Sequence, residues 1–296
     1  MVGRYKVSII GAGRVGSTLA YLLKQGGYSI GGMSCRREES ARRAVEFVSG
    51  GVPCRDNGEA VGDSDIILIT TPDQAIATVA RQLRGARIDW KGRIAYHCSG
   101  CLSSDILSPL AEVGSAIGSL HPLHTFAQPA QTVSRWKGCY FFIEGDARAR
   151  QVALEMSAAL GGKGVVISPQ QKPLYHASAT MASNYLVSLI WLSLLLWERI
   201  GIPFSEGVSA LMPLMKGTFE DIEKLGVASA LTGPVVRGDL TTIKAHLQAL
   251  READKMAWQV YCKIGAVTAE LASRNGLLSS QQREELLGIL QAANAS

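Results

Sequence analysis

The stretch KVSIIGAGRVG at 6–16 constrains this chain most, because it joins a strand to a helix through a glycine-rich turn. The β-branched run at 7–10 is typical of a buried strand, and the segment 17–25 predicts a helix. This spacing permits a tight turn, close approach of backbone to a pyrophosphate, and packing of helix on strand. The residues that we expect to hold a dinucleotide here are Gly11, Gly13, Arg14, Val15 and Gly16.

The second predicted strand, at 28–34, ends where the ribose of a dinucleotide would be recognised. An NAD-preferring site would carry an acidic residue there, but this chain has Ser34 followed closely by Arg36 and Arg37. Arginine can bind a ribose 2′-phosphate through charge and paired hydrogen bonds. We therefore predict NADP(H) as the cofactor, with these three residues in its site.

The alternative is that this arginine pair belongs to a solvated helix face. That interpretation fits Arg42 and Arg43, which lie four residues after Glu38 and Glu39. Acidic and basic side chains at this spacing are neighbours on a helix surface.

Strands and helices alternate over the first 168 residues. Further strands are predicted at 66–70, 93–98, 116–120, 140–144 and 163–167, with helices at 102–111 and 147–160. Alternation of this kind predicts an α/β fold with a doubly wound, mostly parallel Rossmann sheet.

The carboxyl edge of such a sheet is where ligands bind. Pro72 follows a predicted strand and should end it in a loop at that edge. The residues that we expect to contact the cofactor there are Thr70, Thr71, Pro72, Ser99 and Gly100.

The polar, proline-containing segment 168–173 predicts a linker. After it the pattern is helical throughout, over 174–200, 204–225, 240–275 with a break near Asp254, and 281–293. We therefore predict a nucleotide-binding Rossmann domain at 1–168 and an all-helical domain for substrate binding and dimerisation at 169–296.

Composition narrows the functional classes. The 296 residues are 47% hydrophobic and 19% charged, which is typical of a folded chain. The net charge of +5 is dispersed, which argues against a nucleic-acid partner and leaves room for a small anionic substrate. The first strand begins too early for a signal peptide, and six cysteines without secretion indicate reduced thiols in the cytoplasm.

One uncharged stretch, at 177–197, is long enough to span a bilayer. It carries several serines, a threonine and an asparagine, and no basic cluster flanks it. We therefore expect a helix buried in a domain or dimer interface, and no membrane association.

Several motifs recur in one order and carry a resemblance to a known family. Besides the glycine turn they are Thr71-Pro72-Asp73, His97-Cys98-Ser99-Gly100, Leu120-His121-Pro122-Leu123, Tyr175-His176 through Ser183-Asn184, and Thr232-Gly233-Pro234 with Arg237-Gly238-Asp239. The chain resembles, over nearly its whole length, a bacterial family of Rossmann-like proteins of unknown function often described as NADP oxidoreductases. The wider superfamily includes 6-phosphogluconate and β-hydroxyacid dehydrogenases and imine reductases. The resemblance implies a dinucleotide domain, a helical domain of the 6-phosphogluconate dehydrogenase C-terminal type, a homodimer, and a site in the cleft between domains.

One departure concerns the catalytic lysine that β-hydroxyacid dehydrogenases place four residues before an asparagine. If Asn184 is that asparagine, the lysine position is Thr180, which cannot act as a general acid near neutral pH. His176 lies two helical turns before Asn184, roughly on the same face, and is the proton donor that we expect instead.

Three further residues complete the expected catalytic set. His121 precedes a proline as in prephenate dehydrogenases, and either contacts nicotinamide or substrate or satisfies loop backbone. Arg237, if buried, would suit a substrate carboxylate or phosphate. Asp239 either caps the helix that follows or takes part in catalysis.

Cys98 and Cys101 have the spacing of a redox pair. No second pair exists at zinc-site spacing, so we interpret them as a chance pair and expect no metal site.

The functional hypothesis is therefore an NADPH-dependent oxidoreductase acting on a small carbonyl, hydroxy or imine compound. A prephenate-type dehydrogenase is one alternative, and a non-catalytic NADP(H)-binding sensor is another.

Overall fold

The computed structural model describes residues 5–295, and their side chains up to residue 291. Their N-terminal part forms an eight-stranded sheet in the order β3-β2-β1-β4-β5-β6-β7-β8. The strands are β1 (Lys6–Ile10), β2 (Ser29–Ser34), β3 (Val52–Cys54), β4 (Ile66–Ile69), β5 (Ile94–His97), β6 (Ala116–Leu123), β7 (Tyr140–Gly145) and β8 (Lys163–Val166). Strands β1 to β6 are parallel, β7 is antiparallel to β6, and β8 is parallel to β7. The predicted doubly wound, mostly parallel fold is confirmed.

Helices connect these strands. They are α1 (Arg14–Gln25), α2 (Glu38–Val48), α3 (Asn57–Val61), α4 (Asp73–Gly85), α5 (Ser108–Ala111), α6 (Pro129–Ser134) and α7 (Ala147–Ala159). A 3₁₀ turn, Ser104–Leu107, precedes α5 and forms the first part of the helix predicted at 102–111. The sequence patterns did not indicate β3, α3, α4 or α6.

The sheet is covered on both faces, as strands with continuous apolar runs require. All four residues of β4 are fully buried, and two separate apolar clusters lie on the two sides of the sheet. Leu19 of α1 belongs to one cluster and Ile76 of α4 to the other. Burying each such side chain contributes about 1.5–3 kcal/mol, so the core fixes the strand order that positions the site.

The remaining elements are helical. They are α8 (Lys172–Thr180), α9 (Leu186–Arg199), α10 (Phe204–Leu225), α11 (Leu240–Ala253), α12 (Lys255–Arg274) and α13 (Ser280–Ala295). The predicted break near Asp254 is confirmed, since Asp254 ends α11 and caps α12. The predicted linker is partly wrong, because a 3₁₀ turn occupies Pro169–Gln171 and α8 already begins at Lys172.

Contacts divide the chain into two compact units between Met181 and Ala182. The first unit holds the sheet and α8, and the second has its own apolar cluster around Trp258, Leu247 and Leu286. The predicted domain boundary at 168/169 marks where the strands end, and it stays a prediction.

A π-helical turn, Met181–Tyr185, separates α8 from α9. The prediction that His176 and Asn184 share a face assumed 3.6 residues per turn throughout. A π turn closes hydrogen bonds from i to i+5 and is wider, so that assumption is wrong for this segment.

Candidate functional site

The glycine turn after β1 has the geometry that a dinucleotide-binding turn requires. Gly11 has φ +92°, and a Cβ there would stand 2.7 Å from Thr71 Cγ2. A Cβ at Gly16 would stand 2.5 Å from Thr70 Oγ1 and 2.8 Å from Ile9 Cγ2. Only glycine fits at these two positions. Gly11 needs a left-handed backbone, and the lack of a side chain at Gly16 lets α1 pack on the sheet.

Gly13 is different, because it faces open space. The only atom near a Cβ built there is the carbonyl oxygen of Gly11, 3.9 Å away. Gly13 and Arg14 are exposed, Val15 is half-buried, and no side chain among the described residues caps α1. The N–H groups and partial positive charge of a helix N-terminus are therefore free to receive an anion.

Ser34 supports this turn through its backbone. Its carbonyl oxygen accepts hydrogen bonds from the N–H groups of Gly11 (2.9 Å) and Ala12 (2.8 Å). Its buried hydroxyl donates to Asn57 Oδ1, 2.8 Å away. Ser34 thus shapes the turn and links it to α3.

Arg36 and Arg37 differ from the arginines that follow them. Both are exposed at the carboxyl end of β2, and among residues 5–291 neither has a carboxylate within ion-pair distance. Arg42, by contrast, lies 2.6 Å from Glu38. Arg43 pairs with Glu39 at 3.5 Å, so the predicted solvated ion pairs of α2 are confirmed.

The loop after β4 packs against the glycine turn. Thr70 Oγ1 donates to the Gly11 carbonyl oxygen, 2.8 Å away. The Thr71 hydroxyl is buried and has no hydrogen-bond partner in the part of the chain that the structure describes. Pro72 precedes α4 as its N-cap residue, so the expected loop is very short and leads directly into a helix.

The segment after β5 is held by a network centred on Ser99. Its hydroxyl donates to Asp73 Oδ2 (2.7 Å) and accepts from the N–H of Leu102 (3.0 Å). Its N–H donates to His97 Nδ1 (3.1 Å), while His97 Nε2 lies 3.1 Å from the Ser103 carbonyl oxygen. His97 is therefore a structural residue, and the loop around Ser99 and Gly100 is rigidly positioned.

Lys172 also belongs to this site, although no sequence pattern indicated it, because its side chain is fully buried beside Ser99. Its Nζ donates to the Ser99 carbonyl oxygen (3.0 Å) and to Ser119 Oγ (2.5 Å). Burial lowers the pKa of Lys172, while the carboxylate of Glu144 acts in the opposite direction. Lys172 therefore joins the ends of β5 and β6 to the first turn of α8.

His121, Tyr175 and His176 form a cluster beside this lysine. His121 Nδ1 lies 2.7 Å from Tyr175 Oη, and the two imidazole rings are perpendicular with centroids 5.8 Å apart. Both imidazoles approach Gly100: a Cβ there would stand 2.4 Å from His176 Cδ2 and 3.0 Å from His121 Nε2. The absence of a side chain at Gly100 is what allows this arrangement.

Electrostatics keep two of the histidines neutral. Burial, and after it the charges of Lys172 and His176, lower the pKa of His121 to about 3. Burial and then Lys172 lower the pKa of His97 to about 3 as well. A neutral imidazole carries one donor and one acceptor nitrogen, so its hydrogen bonds decide which is which.

Three predicted site residues belong to the helical unit. Asn184 is exposed in the π turn, and Arg237 is exposed within its unit, whereas the prediction supposed a buried arginine. Asp239 caps α11: its Oδ1 accepts the N–H of Thr242 (3.0 Å) and its Oδ2 accepts the Thr242 hydroxyl (2.7 Å). These hydrogen bonds lower the pKa of the Asp239 carboxyl.

The six cysteines are all free thiols. Burial raises the pKa of Cys98 to about 12, which leaves it an unreactive thiol near neutral pH. No group of three or more potential metal-ligating His, Cys, Asp or Glu residues occurs among the residues described.

The helical unit contains an apolar cavity of about 380 Å³. Leu189, Leu192 and Leu196 of α9 line it, together with residues of α11 and α12. At its wall His246 Nδ1 lies 2.9 Å from Tyr261 Oη. None of the predicted site residues lines this cavity.

Residues Pro169–Arg199 form a helical stretch long and apolar enough to cross a membrane, and its most apolar 18-residue window has a mean hydropathy of 1.6. Only 11% of its most apolar window is buried inside the chain. Length and composition alone make one such stretch weak evidence for a membrane span.

The sheet order arranges the N-terminal unit's site residues along one edge. From β2 to β6, the carboxyl ends present Arg36, the turn at Gly11, Thr70, Gly100 and His121 in that order. Adjacent strands lie about 4.8 Å apart, so the four steps from β2 to β6 span about 19 Å.

Comparison with known families matches two models to this chain. A Rossmann-like domain matches residues 1–122, and DUF2520, a domain of unknown function, matches residues 139–268. A comparison with curated proteins finds no match.

Solved structures share the fold over almost the whole chain. Protein TM1727 from Thermotoga maritima is 27% identical with a TM-score of 0.71, over 91% of this chain and 99% of its own. BF3122 from Bacteroides fragilis, a proposed NADP oxidoreductase, is 22% identical with a TM-score of 0.76, over 91% and 100%. A reductive aminase from Aspergillus terreus, in complex with NADPH and ethyl-5-oxohexanoate, is 15% identical with a TM-score of 0.59, over 98% and 93%.

Proposed function

Because the chain joins a Rossmann-like domain to a DUF2520 domain, we propose that it is an NADPH-dependent oxidoreductase. Its substrate is a small carbonyl, hydroxy or imine compound. The observation that carries this proposal is an order along one sheet edge. It runs from two arginines without a carboxylate partner among the described residues, through a helix N-terminus that no described side chain caps, to a histidine cluster. That order matches the succession of phosphate, pyrophosphate and reactive ring in an extended NADP molecule.

The residues that follow β2 and β1 fit the phosphates of this cofactor. Arg36 and Arg37 bind the 2′-phosphate, because they are exposed and lack carboxylate partners among the described residues. The N–H groups at the start of α1 receive the pyrophosphate, and the open space above Gly13 admits it. Thr71 offers a hydroxyl without a partner in the described part of the chain.

The histidine cluster at the other end of this edge carries the acid–base chemistry. When bound, NADP(H) supplies or accepts the hydride. Reduction of a carbonyl builds negative charge on oxygen, so a nearby acid lowers the barrier. His176 is the proton donor in this proposal, His121 contacts the same reacting atom, and buried Lys172 adds positive charge beside them.

The solved structures support the choice of reaction class. The reductive aminase that shares this fold holds NADPH together with a keto ester, and another relative of the same fold is an imine reductase from Pseudomonas. Arg237 would bind an anionic group of the substrate. The protein acts in the cytoplasm as a homodimer, without nucleic acid or membrane.

Calorimetric titration and a turnover assay test the proposal together. NADPH should bind with a stoichiometry of one per chain and more tightly than NADH. Its absorbance should then fall when keto acids, aldehydes or cyclic imines are added. Absence of NADPH binding would overturn the proposal.

Two other results would point to different functions. Tight NADPH binding without turnover on any carbonyl or imine would favour a sensor. Reduction of NADP with prephenate would favour a prephenate-type dehydrogenase, the alternative suggested by His121 and Pro122.

A further inference from the structure

Tyr175 of α8 contacts residues of two neighbouring strands, His121 of β6 and Phe142 of β7. Its ring stacks on Phe142 of β7, with centroids 3.8 Å apart and an interplanar angle of 24°. Phe142 is the antiparallel partner of His121 in β6. The tyrosine ring therefore cannot turn freely, and its hydroxyl is held 2.7 Å from His121 Nδ1.

The direction of this hydrogen bond follows from the chemistry of its two members. Burial raises the pKa of Tyr175, so the phenol keeps its proton at any physiological pH. A phenol donates strongly, and a neutral imidazole nitrogen accepts strongly, whereas a phenolic oxygen is the weaker acceptor. The favoured pair is thus Tyr175 O–H donating to Nδ1, which leaves the ring proton of His121 on Nε2.

The charged and titratable groups around His121 favour its neutral form. Lys172 and His176 approach it from α8, and His97 lies on the adjacent strand β5. The carboxylate of Glu144, on the neighbouring strand β7, accepts two hydrogen bonds from Ser104 and none from His121. Positive charge without a bonded carboxylate disfavours an imidazolium at this position.

The other nitrogen of His121 is directed toward the Ser99–Gly100 loop. Nε2 lies 3.0 Å from the point where a Cβ of Gly100 would stand, on the side where the His176 ring also packs. A hydrogen on Nε2 therefore points to the carboxyl edge of the sheet beside β5.

We infer that Tyr175 is a positioning residue that fixes His121 as its neutral Nε2–H tautomer, so that His121 presents a hydrogen-bond donor to the substrate. A donor at this atom fits a substrate whose reacting group is an acceptor, namely a carbonyl oxygen or an imine nitrogen. It does not fit removal of a hydroxyl proton by His121, which needs a free lone pair on Nε2. This inference rests on the proposed oxidoreductase function and deepens it, because it makes His121 a hydrogen-bond donor to the C=O or C=N group and leaves proton transfer to His176.

Nitrogen NMR of the full-length protein, labelled with ¹⁵N-histidine, tests the tautomer directly. His121 should show a protonated Nε2 and an unprotonated Nδ1, with its signals assigned by their loss in His121→Asn. In Tyr175→Phe the stack on Phe142 remains, but the pattern should move toward a mixture of both tautomers. Carbonyl reduction by this variant should fall by about tenfold with NADPH affinity unchanged.

The chain offers a matched control in Tyr261→Phe. Tyr261 Oη makes the same type of contact to His246 Nδ1, 2.9 Å away in the helical unit. This variant should alter the signals of His246 only and leave those of His121 and turnover unchanged.

Two outcomes would overturn the inference. One is a protonated Nδ1 on His121 in the unmodified protein, and the other is an unchanged tautomer in Tyr175→Phe. Failure of the proposed function is distinguishable, because it would appear as absent NADPH binding while the NMR pattern stayed as expected.

Discussion

The imidazole of His176 lies so close to Gly100 that a Cβ at residue 100 would stand 2.4 Å from His176 Cδ2. Real Cβ atoms do not approach heavy atoms at this distance, so a side chain here must displace the ring. The relationship makes Gly100 a requirement of the histidine cluster.

Gly100→Ala should therefore lose about 1–3 kcal/mol of unfolding free energy, the usual cost of overpacking. Turnover should fall as well, because His176 moves. Gly85→Ala is the matched control: Gly85 ends α4 with nothing within 4 Å of a built Cβ, so that variant should be neutral or slightly stabilising. Urea denaturation of both variants checks this, and equal stability for Gly100→Ala and the unmodified protein would contradict it.

Arg36 and Arg37 should determine the choice of cofactor. Their joint change to alanine should weaken NADPH binding by about 1–3 kcal/mol through loss of charged hydrogen bonds, with little effect on NADH. The double change of Arg42 and Arg43 to alanine removes the same charge from the same region and should leave the preference intact. Calorimetry with both cofactors measures this preference for NADPH. Equal affinity of the unmodified protein for NADH and NADPH would rule out the proposed role of the two arginines.

Most of the fold could be predicted because its signals are local. Buried strands and amphipathic helices repeat their patterns over four or more residues, and the bounds of α10 are those predicted. The three-residue strand β3 is too short to show a period. Helix α4 was missed because Pro72 indicated a stop, although a proline can directly precede the first turn of a helix, as Pro72 does at the N-cap of α4.

The site was predictable only where a motif is continuous in sequence. The turn at Gly11 carries its own spacing, but Lys172 owes its burial to Ser99 and Ser119, which lie 73 and 53 residues away. Two prolines near Lys172 also made its segment look like a linker. The observation that could have revealed it is its position four residues before His176 on one helix, the spacing expected for a catalytic lysine and its polar neighbour.

The buried neutral His97 should make stability depend on pH. Its pKa is about 3 in the folded protein and about 6.5 in an unfolded chain, so the unfolded state binds more protons between these values. The contribution of His97 to the unfolding free energy is therefore fully present above about pH 6.5 and is lost as the pH falls toward 3. At pH 5 the loss from this residue is about 2 kcal/mol.

Denaturation at pH 7.5 and pH 5 measures this loss, and His97→Asn should reduce the difference by a similar amount. Asparagine retains an oxygen that can accept the Ser99 N–H. A titration of the His97 ring by NMR with a midpoint near 6.5 in the folded protein would show the explanation to be wrong.

The helical unit should mediate a homodimer. Helix α10 has 22 residues, yet Gly207 is the one that is buried, and Leu214, Phe219 and Leu225 are more than half exposed. Apolar surface of this extent usually marks an interface, and the acidic and basic side chains on the same helix make a second protein chain a better partner than lipid.

Light scattering should give twice the 31.6 kDa mass of one chain. Phe219→Glu combined with Leu214→Glu should yield a folded monomer. A monomer at all concentrations for the unmodified protein, or its recovery with vesicles after flotation, would exclude this assembly.

The role of His176 as proton donor can be separated from a structural role. His176→Ala should reduce turnover by about 10²–10⁴ and leave NADPH affinity almost unchanged, because the ring touches Gly100 and His121 and is remote in sequence from the glycine turn that we propose to hold the pyrophosphate. His246→Ala removes an imidazole from the helical unit and should leave turnover intact. A purely structural His176 would instead lower the unfolding free energy of His176→Ala and reduce turnover only through that loss. We expect the opposite: turnover falls while the unfolding free energy stays close to that of the unmodified protein.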